Sequence, residues 1–169
     1  MSTDDSSSTT PAGTVPTLDV APPVREILQA ELACLIEVAP SSTPLRREHE
    51  RLRAALAAGG EIPESLLPTL QHALELLLES GRIRQAHGPA EERQLFQLYQ
   101  QTPRGQRETE QLRAVNRALT GIAGHGIEKL SFAQTSPGSY RLQLDTDHGA
   151  ISLAIDRQGI SVHHVEFAI

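Results

Sequence analysis

Over residues 127–169 apolar and polar positions alternate with a period of two, and turn dipeptides interrupt the alternation at near-regular spacing. Leu130 and Phe132 belong to a first strand. Ser136-Pro137-Gly138-Ser139 is a turn in which proline suits the second position and glycine accepts a positive φ. Tyr140, Leu142 and Leu144 then alternate with Arg141, Gln143 and Asp145. After Asp147-His148-Gly149, Ile151, Leu153 and Ile155 alternate with Ser152, Ala154 and Asp156. Asp156-Arg157-Gln158-Gly159 turns the chain into a last run of Ile160, Val162, Val165, Phe167 and Ile169. The apolar phase of that run slips by one residue at His163-His164. Such a slip would move every later side chain to the wrong face, so the pattern predicts a β-bulge there. These residues read as a four-stranded antiparallel β-meander with one apolar and one wet face. The last strand is expected at an edge, or docked on a partner.

The preceding chain has helical periodicity. Ile27, Leu28, Glu31, Leu32, Leu35 and Ile36 predict a helix over 24–38, started after Pro22-Pro23 and stopped by Pro40. Thr43-Pro44 is an N-cap and first-turn pair for a helix over 44–58, ended by Gly59-Gly60. Leu66, Leu67, Leu70, Leu74, Leu77 and Leu78 form the broadest apolar face, on a helix from about 63 to 80. Residues 82–100 fit either a hairpin or a helix beginning after Pro89. Leu112, Val115, Leu119 and Ile122 define the face of a helix over 106–123, expected to cover the apolar side of the sheet; Gly124-His125-Gly126 breaks it. The fold class is therefore α+β, divided as a tail over 1–23, a helical part over 24–105, and a helix with the meander over 106–169.

Composition narrows the function classes. Residues 1–23 carry no Lys or Arg and little to bury, which predicts a flexible acidic tail. Within it Val15, Leu18 and Val20 could form a short docking segment. The net charge of −6, from 15 basic and 21 acidic residues, does not favour bulk attraction to nucleic acid or anionic lipid. Cys34 is the only cysteine, so no internal disulfide forms, and it is expected to be buried as a small apolar residue. No leader or membrane-spanning run is visible, which predicts a cytoplasmic protein with no membrane partner.

Candidate chemistry is sparse. Arg46, Arg47, Arg51 and Arg53 form the densest basic cluster, with Glu48 and Glu50 interleaved. Arg46 and Glu50 stand at i, i+4, the spacing of a solvated helix pair. Arg82, Arg84 and Arg93 could add a second positive edge. These seven arginines are the candidate contacts for phosphate or an acidic partner. His163 and His164, with Asp147 and His148 as possible fellows, could ligate one metal ion only if the bulge re-aims adjacent side chains. Asp145, Asp147 and Asp156 fall where turns want aspartate. No nucleophile–base arrangement is present, so no catalytic residue, cofactor or metal is assigned, and the chain is not expected to be an enzyme.

Residues 64–105 run as an apolar helix, Leu78-Glu79-Ser80-Gly81-Arg82-Ile83-Arg84, a turn at Gly88-Pro89, an apolar segment, then Thr102-Pro103-Arg104-Gly105. This order resembles the recognition helix and wing of winged-helix proteins such as the MarR and PadR regulator families. Leu66 to Glu79 has no Arg or Lys and carries Glu75 and Glu79. The resemblance therefore implies a domain that binds protein rather than one that reads bases. The expected function is a non-enzymatic protein–protein interaction or accessory module; the alternative is a winged-helix-like, nucleic-acid-associated regulator.

Overall fold

A computed structural model describes residues 17–59 and 61–167 of the chain. It is an α+β protein: helices over the first two-thirds and a four-stranded antiparallel sheet after them. The chain divides into two compact units, Met1–Glu92 and Arg93–Ile169.

In the first unit, strand β1 (Thr17–Asp19) pairs antiparallel with β2 (Glu61–Pro63), Leu18 opposite Ile62. The tail expected over 1–23 departs from the structure here: residues 17–19 form a strand, and Val20 is buried. Val15 lies outside the described residues. Helix α1 spans Pro22–Val38, and its Val24, Leu28, Leu32 and Ile36 are buried at four-residue spacing, one helical face. Helix α2 spans Pro44–Ala58; the Thr43 hydroxyl accepts from the Arg46 amide, as its N-cap position requires. A 3-10 turn at Glu64–Leu66 leads into α3 (Leu67–Glu79), which buries Leu70, Ala73, Leu74 and Leu77. Gly81, at φ +65°, redirects the chain into the short α4 (Arg82–Ala86), where Ile83 is fully buried.

Helix α5 (Pro89–Gln101) follows, and the boundary between the units falls inside it. Residues 82–101 are thus helical apart from His87-Gly88, and the hairpin alternative is not realised. The divide lies at Glu92, ahead of the expected one at 105.

In the second unit, Thr102 caps α6 (Pro103–Gly121), its hydroxyl accepting from the Gly105 amide and donating to the Tyr99 carbonyl. Strands β3 (Ile127–Ser136), β4 (Ser139–Thr146), β5 (Gly149–Asp156) and β6 (Gly159–Phe167) follow in meander order. Ser152 pairs with His164 and Leu153 with Val162, so His163 is the extra residue of a bulge at the place the phase slip marked. Val115 and Ile122 pack with Ile151 and Leu153 to form the core, joined by Leu119, Leu142, Leu144, Ile160, Val162 and Val165. Leu112, expected on that face, is instead 52% exposed and lines a cleft of about 280 Å³ with Phe96, Tyr99 and Ile160.

Candidate interaction surface

Residues directly opposite in a ladder point to the same face. The register therefore defines two apolar rows across the whole sheet. One is Phe132, Leu142, Leu153, Val162; the other is Leu130, Leu144, Ile151, Val165. Burial along each row is uneven. Leu153 and Ile151 are sealed, Leu142 and Leu144 are half-buried, but Phe132 is 61% and Leu130 63% exposed. Ile127 is 62% exposed as well. Phe132 and Tyr140 stack at 5.4 Å between ring centroids with planes 9° apart.

The cause is geometric. Helix α6 packs on β6 and, less, on β5. A helix with side chains is about 10–12 Å wide, while the outer strands of a four-stranded sheet lie about 14 Å apart axis to axis. One helix cannot cover both halves, and β3 with part of β4 keeps an apolar face with no cover among the described residues.

The two edges also differ. Both β3 and β6 have one unpaired side. On β6 the bulge at His163 interrupts the ladder, and His163, His164 and Glu166 are exposed. A bulge of this kind discourages further pairing. On β3 the pairing with β4 is regular from Lys129 to Gln134, between shifts at either end; that stretch has no proline and Lys129 as its one charged residue, with Glu128 just before it.

The wet face holds a smaller feature. Ser152 is buried at 8% exposure, its hydroxyl has no hydrogen-bond partner, and Arg141, Gln143, His163 and His164 surround it. Both histidines of the bulge line this hollow. Asp147 and His148 do not join them. Asp147 Oδ1 lies 3.3 Å from His125 Nδ1, and His148 stacks on His125 at 4.3 Å. Among the described residues no three His, Cys, Asp or Glu side chains are placed to hold a metal ion.

The seven candidate arginines differ in their partners. Arg46 pairs with Glu50 at 3.1 Å and donates to the Ala39 carbonyl. Arg84 pairs with Glu92 at 2.6 Å. Arg82 donates through Nε to Glu31, whose other oxygen lies 2.9 Å from His87 Nε2. Arg47, Arg51 and Arg53 are exposed on α2 and carry no ion pair among the described residues. Arg93 is exposed and belongs to the second unit.

Glu31 is 5% exposed at its side chain. Burial pushes its carboxyl up, but hydrogen bonds and charge from Arg82 and His87 outweigh this and hold it below the ordinary range. Cys34 is half-buried, not buried, with Arg82 Nη2 at 3.5 Å from its sulfur. His49, on α2, is 2% exposed and neither ring nitrogen has a hydrogen-bond partner. Burial and the charge of His72 lower its pKa, against a small opposing effect of Glu48. The signal for its burial was helical spacing, since His49 stands four residues after Leu45 and three before Leu52, on the face that Leu52 and Leu56 bury.

No protein-family model, curated protein or solved structure matches the chain. No helix among the described residues is long and apolar enough to cross a membrane.

Proposed function

We propose that the chain is a non-enzymatic interaction module that binds a protein partner through the β3–β4 half of its sheet. The observation that carries this reading is the exposure of Leu130 and Phe132 at the ends of two apolar rows whose other members are buried or half-buried. Covering a large aliphatic or aromatic side chain gains about 1.5–3 kcal/mol, and a grouped set of them at an open strand is the kind of surface that proteins use to associate.

Affinity capture with the intact chain tests it, comparing wild type with Phe132→Glu and with Arg47→Glu. The reading predicts a bound protein that Phe132→Glu loses and Arg47→Glu keeps. Loss by Arg47→Glu alone would move the contact to α2.

A nucleic-acid-associated role has its support in Arg47, Arg51 and Arg53, three exposed arginines of α2 without an ion pair among the described residues. Mobility shift of DNA at two salt concentrations tests that role, since phosphate contacts weaken steeply with salt.

A further inference from the structure

We propose that the occupant of the β3 edge is a second copy of this chain, joined by antiparallel pairing of β3 with β3 about a twofold axis. This deepens the interaction reading and rests on it.

A twofold axis normal to the sheet keeps the apolar faces of both copies on the same side. Opposed residues must then come from the same face, which allows only registers centred on a residue. With Ser131 on the axis, Leu130 of each copy stands beside Phe132 of the other. Lys129 meets Ala133 and Glu128 meets Gln134. The two lysines end up four residues apart along the strands, about 13 Å, beyond one screening length of roughly 10 Å at ordinary salt.

Neighbouring registers are worse. Leu130 on the axis sets Glu128 beside Phe132; Phe132 on the axis sets Leu130 beside Gln134. Only the Ser131 register joins the apolar rows without a polar gap. A row entering as Val162, Leu153, Leu142, Phe132 continues in the other copy as Leu130, Leu144, Ile151, Val165. The regular stretch from Lys129 to Gln134 is long enough for this five-residue ladder. The β6 edge, broken by its bulge at His163, offers no unbroken stretch of equal length, so pairing stops at two copies rather than propagating. A five-residue ladder is a small contact, so the association is expected to be weak, on the order of micromolar.

Sedimentation velocity across the micromolar range tests the association, and cross-linking tests the register. In a Cys34→Ala background, Ser131→Cys should be captured as a dimer by a short bismaleimide, because residue 131 faces its own copy. Thr135→Cys, which faces Ile127, should not. Leu130→Arg changes a side chain already exposed, so folding is retained, and it should weaken association about tenfold or more. A chain that stays monomeric throughout, a dimer indifferent to Leu130→Arg, or capture from residue 135 in place of 131 would each overturn the proposal. A monomer whose Phe132 surface captures a different protein would overturn the dimer while leaving the interaction reading intact.

Discussion

Phe132 and Tyr140 stack diagonally across the β3–β4 ladder, their ring planes 9° apart, on a surface no helix covers among the described residues. Because Phe132 is already 61% exposed, removing it creates no cavity. Phe132→Ala should cost at most about 1.5 kcal/mol, the range of an aromatic pair, against about 3–5 kcal/mol for a core phenylalanine. Urea denaturation reads the difference. A core-sized loss would mean that Phe132 supports the fold rather than a contact.

Thr102 and Gly105 fix the approach of α6 to the end of α5. A Cβ at Gly105 would lie 2.1 Å from the Tyr99 carbonyl oxygen and 2.7 Å from the Gln100 Cα, both backbone atoms. Gly105→Ala should destabilise by about 1–3 kcal/mol, as overpacked sites do. At Gly126 the nearest atom is 3.9 Å away, so Gly126→Ala serves as the tolerated control in thermal unfolding.

His49 carries acid sensitivity. Its folded pKa is depressed below the ordinary 6.5, so the unfolded chain takes up the proton first. Its contribution to stability is present above 6.5 and declines as pH falls below that value. His49→Leu removes two unsatisfied ring nitrogens and should be neutral or stabilising by about 1 kcal/mol. The variant should also flatten the fall in stability between pH 6.5 and 5, measured by denaturation at each pH.

Glu31 acts at lower pH with the same sign. Its carboxyl is held below the ordinary value of 4.5, so its stabilisation is complete above that value and is lost as pH drops through the folded value. Glu31→Gln should cost about 1–3 kcal/mol at pH 7, and the gap to wild type should close on acidification below the carboxylate range. A gap that persists at low pH would assign the effect to packing.

The bulge residue should be dispensable. Deleting His163 leaves Val162 and Val165 on the core face and His164 on the wet one, since only the extra position is removed. Stability should change by less than about 1.5 kcal/mol. Deleting Ser152, in the regular ladder of β5, shifts the register of a buried strand and should abolish cooperative unfolding.

The meander was legible because each of its elements carries its own signal: the period of two, the turn dipeptides, and even the slip at His163-His164. The helix starts were less evenly read. Thr43-Pro44 and Thr102-Pro103 are the same cap, but the apolar face of α6 starts only at Leu112, so periodicity places its beginning at 106, three residues late. Arg82-Ile83-Arg84 alternates like a strand, but three residues cannot distinguish periods, and burial of Ile83 below a one-turn helix decides it. The β1–β2 pair joins Leu18 to Ile62 through strands of three residues each, too short and too distant to leave a pattern. The exposed strip could have been anticipated from widths alone, since one helix was assigned to cover four strands. Its position on β3 depended on α6 choosing β6, which no local pattern specifies.

The claim at the centre of this account is that the open β3–β4 face is a contact surface, and a photo-cross-linking side chain placed at residue 132 of the intact chain tests it most directly. The account predicts a protein adduct at 132, formed at native expression level, and none from the same group at Gln158 in the β5–β6 turn. Equal yields at the two positions, or none at 132, would contradict it.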